Sequence, residues 1–128
     1  MTRLHFLLRA QNEYSIQSPF LFELHRAVLA PRLEGTTLRR LGLRRGDRCG
    51  QLRYKLADHF GTAWEDNRLP LPDGSLLTLF EAPHRTSASE RLWNETVKDL
   101  DTTLTVDLFY AGLAFTSPKL GKQHFLLR

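Results

Sequence analysis

The sequence predicts a small α/β domain, and three observations carry that prediction. Leu76-Leu77-Thr78-Leu79-Phe80 is an unbroken apolar run of strand length, the pattern of a strand covered on both faces. Leu104, Val106 and Leu108 alternate with Thr103, Thr105 and Asp107, the two-residue period of a second strand. Around these strands, apolar residues recur at helical spacing behind recognisable caps.

In chain order, Leu4, Leu7 and Leu8 suggest a short first helix. Ser18 and Pro19 mark a helix start: a serine N-cap, then a proline where a missing N–H does no harm. Phe20, Leu21, Leu24, Val28 and Leu29 carry this helix over 19–30, and Pro31 stops it. The stretch Leu38 to Arg48 is basic and too rich in glycine to be assigned as a helix. Leu52, Leu56 and Phe60 are spaced by four with Gly61 behind them, which predicts a helix over 48–60 with Arg53 and Lys55 facing outward. Residues 62–74 read as a loop, with turn chemistry at Pro70, Pro72 and Asp73-Gly74. The strand at 76–81 stops before Pro83. Ser87-Ala88-Ser89-Glu90 has the pattern of a capping box. It opens a helix over 87–100 whose apolar face is Trp93, Val97 and Leu100. The next strand runs from 103 to 115, Ser117-Pro118 to Gly121 turns the chain, and 123–128 is a last strand. The second half is therefore strand–helix–strand–strand: a right-handed βαβ crossover followed by an antiparallel pair.

A chain of 128 residues fits one domain. One cysteine, Cys49, excludes an intrachain disulfide and a cysteine zinc site. No apolar run approaches the roughly 20 residues of a membrane span, and the start, broken by His5 and Arg9, is no signal peptide. The expected compartment is the cytoplasm, with no membrane partner. Charge is uneven: residues 1–55 hold 11 Lys/Arg against 4 Asp/Glu, and residues 56–128 hold 7 against 10. A first half at +7 attracts phosphate or an acidic partner, and 14 of the 18 basic residues are arginine, which suits phosphate contacts.

The order of elements is similar to the end of a class I S-adenosylmethionine (SAM) dependent methyltransferase, a Rossmann-like fold. Asn12-Glu-Tyr-Ser-Ile-Gln-Ser-Pro-Phe20 resembles the asparagine-to-His-Ser-Pro-Phe segment that opens one bacterial branch of these enzymes, with Gln17 in place of histidine. Tyr54-Lys-Leu resembles that branch's next helix. Leu79-Phe-Glu-Ala-Pro-His-Arg85 with Trp93 resembles its late strand, acidic-histidine loop and following helix. Val106-Asp-Leu-Phe109, Gly112-Leu113 and Lys122-Gln-His-Phe-Leu-Leu-Arg128 resemble its C-terminal hairpin. The resemblance covers roughly 1–62 and 75–128. It leaves out the SAM-binding half of the fold, which supplies a glycine-rich turn. The sequence has no Gly-x-Gly at all. The resemblance therefore implies a truncated methyltransferase-like fold of 1–128, helical and basic over 1–62, with 63–74 as the seam of an internal deletion and 75–128 as β-α-β-β.

In the parent fold the 76–81 strand is paired on both sides, and the C-terminal strand lies between the other two, antiparallel to both. The implied sheet has three strands, near 76–81, 103–115 and 123–128, with helices on both faces. Removing the middle leaves the 76–81 edge bare, and bare apolar edges invite pairing, so a homodimer through that edge or the surface beside it is expected.

Glu81 and His84 sit at a strand's carboxyl end, where ligands bind in open α/β sheets. They are the candidates for polar contacts to a substrate; the alternative is a pair of polar loop residues. Ala82 stands where the family has a second acidic residue, so no metal site is expected. Ser87 reads as a helix cap rather than a nucleophile. His5, His25, His59 and His124 lack ligand spacing. Cys49 lies in the basic stretch, which favours its thiolate, or is an idle thiol. Arg39, Arg40, Arg44, Arg45, Arg48 and Arg53 either grip RNA, phosphate or an acidic partner, or form a solvated face; no aromatic residue interleaves with Arg39–Arg48 to stack on bases. Three functions remain open: a non-catalytic oligomeric or partner-binding module without cofactor, a SAM-dependent enzyme completed by an assembly, and an RNA- or phosphate-binding protein.

Overall fold

Ser18 caps the helix that follows it, as the sequence requires. Its side chain accepts a hydrogen bond from the Leu21 N–H, with Pro19 at the first helical position. A computed structural model of the chain describes residues 2–4, 6, 10 and 18–127. Most of the first-helix expectation (Leu7 and Leu8), His5, the 11–17 part of the Asn12–Phe20 motif and Arg128 lie outside the described residues. Helix α1 (Pro19–Leu24) passes directly into a π-helical turn (His25–Leu29), so the expected helix at 19–30 is present with a looser second half. Helix α2 (Gly35–Leu41) occupies the stretch left unassigned. It ends where Gly42 takes a left-handed φ of 69°, so the glycine stops a helix rather than preventing one. Helix α3 (Arg48–Phe60) has the expected bounds, with the Asp47 side chain capping it and Gly61 behind it. Helix α4 (Ser87–Lys98) is capped one residue earlier than expected. Thr86 and Ser89 form the reciprocal box, so Ser87 is the first helical residue and not the cap. Leu100 lies beyond the helix and is 91% exposed, which removes it from the apolar face.

The sheet has five strands rather than three: β1 (Arg68–Pro70), β2 (Leu76–Glu81), β3 (Leu104–Asp107), β4 (Ala111–Thr116) and β5 (Gln123–Leu126), in the order β1-β2-β4-β3-β5. The single strand expected over 103–115 is a hairpin. Asp107 accepts the Phe109 N–H at 2.9 Å, Phe109 takes a φ of 70°, and Leu108 N–H bonds Ala111 O at 2.9 Å. That tight reversal places β4 antiparallel to β3, and β4 also pairs antiparallel with β2. The strand between the co-directional β2 and β3 is therefore β4. The C-terminal strand β5 lies instead on the outside, parallel to β3. Its six-residue link, 117–122, has only to cross the start of β3, where Gln123 N–H meets Thr103 O at 2.8 Å.

The 76–81 edge is not bare, so the expected route to a homodimer is closed. Residues 62–74 are not simply a loop: Glu65 and Arg68 exchange two backbone hydrogen bonds around a tight turn, and β1 then pairs antiparallel with β2, Leu69 opposite Leu77.

Two layers of helix cover the sheet. Leu69, Leu77, Leu79, Leu104, Val106, Leu113, Phe115 and Phe125 form one buried cluster with Leu21, Leu24 and Val28 of α1 and its π turn and Leu52 and Leu56 of α3. The opposite face carries Phe80 beside the smaller Thr105 and Gly112, and α4 lies on it. Trp93 seats its ring on Gly112, where an added Cβ would come within 2.6 Å of the indole. Thr105 and Asp107 point to this second face as the alternation requires, but each is only 1% exposed because the α4 layer covers them.

Candidate functional site

Strands β2 and β3 point the same way, so their last residues, Glu81 and Asp107, reach the same end of the sheet. Two short segments close that end. Ala82, at φ 41°, donates its N–H to Tyr110 O, and the next residues swing His84 inward. The His84 side chain is 4% exposed and lies between two carboxylates. Its Nε2 is 2.5 Å from Asp107 Oδ2 and its Nδ1 2.5 Å from Glu90 Oε2. Asp107, 2% exposed at its side chain, also accepts the Trp93 Nε1–H at 3.2 Å and the Phe109 N–H at 2.9 Å. The imidazole stacks on Phe109 at 5.4 Å between centroids, and Phe6 closes against both rings. An imidazole protonated at both nitrogens donates to each carboxylate; with one proton, one contact lacks its hydrogen. The network ties the 82–86 segment, the start of α4 and the β3–β4 turn together.

Glu81 and His84 are not brought together. Glu81 is exposed and lines a separate groove of about 360 Å³ with Arg53, Asp66, Phe80, Pro83 and Leu92. Leu92 is 55% exposed there. Arg53 does not simply face outward: its guanidinium lies over the Trp64 ring at 4.4 Å and donates to Asp66 O at 2.7 Å. Lys55 is likewise half-buried, with Nζ on Pro31 O at 2.9 Å. Burial, with Arg48 adding to it, holds that amine below its ordinary pKa. Three non-glycine residues with left-handed backbone, Asp66, Ala82 and Phe109, belong to the segments that build this end of the sheet. Such conformations hold only where surrounding contacts enforce them.

Arg39, Arg40, Arg44, Arg45 and Arg48 are all exposed. Among the described residues none of the five has an ion-pair partner. Arg39 Nη1 and Arg45 Nη2 converge on the spot above Gly35, 3.7 and 3.5 Å from where a Cβ would sit. The backbone beneath them is fixed, because Gln51 Nε2 donates to both Arg44 O and Arg45 O. An aromatic partner does exist, though not within the segment: Arg48 lies over the Tyr110 ring at 3.9 Å.

Arg53 and Arg48 favour the Cys49 thiolate but are outweighed. Burial first, then Glu81 and Asp47, push the thiol above its ordinary pKa, and Sγ–H reaches Tyr110 O at 3.4 Å. Iodoacetamide is therefore expected to alkylate Cys49 more slowly than free cysteine at about pH 8, with a rate still climbing past about pH 9. A rate equal to that of free cysteine would contradict this.

Of the other histidines, His59 packs edge-on to Phe60, and His124 Nδ1 is 2.8 Å from Thr105 Oγ1. Among the described residues no group of His, Cys, Asp and Glu is arranged to hold a metal ion, and no helix is long and apolar enough to cross a membrane. This end of the sheet includes residues that the sequence pattern does not single out: Asp107, Glu90, Trp64 and Tyr110. Asp107 was visible in the alternation of its strand, but the alternation places it on a solvent face. Only the docking of α4 buries it.

No family model, curated protein or solved structure matches the chain.

Proposed function

We propose that the chain is a methyltransferase-like module that performs no methyl transfer by itself and works by binding a partner. The observation that carries this reading is the place of two strands. Antiparallel β4 sits between co-directional β2 and β3, the place the class I resemblance gives to the C-terminal strand, while the last strand β5 lies outside, parallel to β3. The other side of β2, where the cofactor-binding half of such a sheet would continue, is occupied by this chain's own β1. A parallel strand bringing a glycine-rich turn would need that same edge.

The test is calorimetric titration with SAM and with S-adenosylhomocysteine. No binding at millimolar ligand is the expected result. Micromolar binding would overturn the reading and favour an enzyme whose cofactor site is completed in an assembly. With the 76–81 edge closed, a homo-oligomer has to use another surface, such as the outer edge of β5. A strictly monomeric mass in light scattering at micromolar concentration would exclude it.

A further inference from the structure

We infer that the arginine face running from α2 to α3 binds single-stranded nucleic acid, its phosphates on Arg39, Arg40, Arg44 and Arg45 and its bases against Arg48 and Arg53. This rests on the partner-binding reading and names the class of partner.

The first observation is charge without neutralisation. Five arginines occur within ten residues, all exposed, with no ion-pair partner among the described residues. Two of their guanidiniums converge above Gly35. Like charges held close over a fixed backbone are stabilised by an anion, and the planar guanidinium fork matches phosphate oxygens.

The second observation is independent of charge. Arg48 and Arg53 each lie over an aromatic ring, Tyr110 and Trp64, at 3.9 and 4.4 Å. Both belong to α3, five residues apart, a rise of about 7.5 Å. A guanidinium backed by a ring is a pre-set plane, and unpaired bases stack on such planes as they do on aromatic side chains. Arg48 is exposed, so its outer side is open to a base.

The third observation sorts bases from phosphates. Beyond Arg53 the groove is lined by apolar Leu79, Phe80, Pro83 and Leu92 and by Asp66, Asn67 and Glu81. Carboxylates repel phosphate, but they accept hydrogen bonds from the amino groups of bases. An acidic peptide would use the arginines but leave the stacking planes and the groove unused. A duplex would keep its bases inside its own stack.

The experiment is fluorescence anisotropy of the full chain with labelled mixed-sequence single-stranded RNA and DNA, the matching duplex, and polyglutamate as competitor. The single strands are expected to bind. If four phosphates are neutralised, the slope of log affinity against log salt is roughly −2.8, so affinity falls about fiftyfold between about 50 and 200 mM salt. The variant R44A/R45A, altered only at exposed side chains, is expected to lower that slope by about 1.4. The variant R48K keeps the charge and loses the plane. It is expected to keep the slope and weaken binding about fivefold or more.

No binding of either single strand at low salt overturns the inference. So does duplex binding as tight as single-strand binding, or polyglutamate competing as well as RNA at equal charge. An R48K variant that binds like the parent overturns the stacking role. A chain that binds neither SAM nor nucleic acid loses this inference but keeps the partner-binding reading; a chain that binds SAM loses that reading itself.

Discussion

Replacing His84 by alanine is expected to lower the unfolding free energy by about 1–3 kcal/mol, because it leaves a buried carboxylate without its imidazole partner. Asp107 is almost fully enclosed and keeps only the Trp93 and Phe109 N–H donors once the imidazole is gone. The imidazole also fills the space over the Phe109 ring, so its loss removes packing as well as a hydrogen bond. Urea denaturation followed by circular dichroism measures the effect. His84→Gln, which offers one donor and comparable bulk, is expected to recover part of it. A loss for His84→Ala under about 1 kcal/mol would mean that the two N–H donors satisfy Asp107 and that the histidine is not needed to hold the end of the sheet.

Trp93→Ala is expected to destabilise the fold by about 3–5 kcal/mol, the range for emptying a buried aromatic site. The indole is 1% exposed, meets Phe80 edge-on at 5.3 Å and rests on Gly112. It is the largest side chain joining α4 to the sheet, and its N–H ends on the same Asp107 oxygen that His84 approaches. The two losses are therefore coupled. In the double variant His84→Ala/Trp93→Ala the combined effect is expected to depart from the sum by about 0.5 kcal/mol or more, because both act through Asp107. Thermal and urea midpoints of the single and double variants supply the comparison, and strict additivity would show that the two contacts are independent.

The parts of the fold legible in the sequence are those whose causes are local. Ser18-Pro19, Phe60 with Gly61, and the apolar run at 76–80 each contain within a few residues the groups that fix their structure. The parts that were not legible depend on partners far along the chain or on turns without the usual residues. The β3–β4 reversal is built on Phe109 with a left-handed φ, which no composition rule for turns selects. The turn at Glu65–Arg68 lies inside the stretch read as a loop, and the three-residue strand that follows is too short to show a period. The same distinction governs the candidate site. Glu81 and His84 were legible because they follow a recognisable strand. Their separation into a groove and a buried network depends on α4 covering Asp107 and on Arg53 finding Trp64, contacts that span many residues of sequence.

The β1 ribbon also sets terms of competition. Its link to β2, residues 71–75, is only five residues long, and a short link presents its own strand at a local concentration in the millimolar range. A separate polypeptide offering a strand to β2 must outcompete that tethered occupant, and ordinary micromolar mixtures fall about a thousandfold short. Pro70 offers no N–H along the ribbon, so stacking a further strand on β1 gives a weaker ladder. Supplying a cofactor-binding half in trans would therefore fail at this edge until β1 is removed or unpaired.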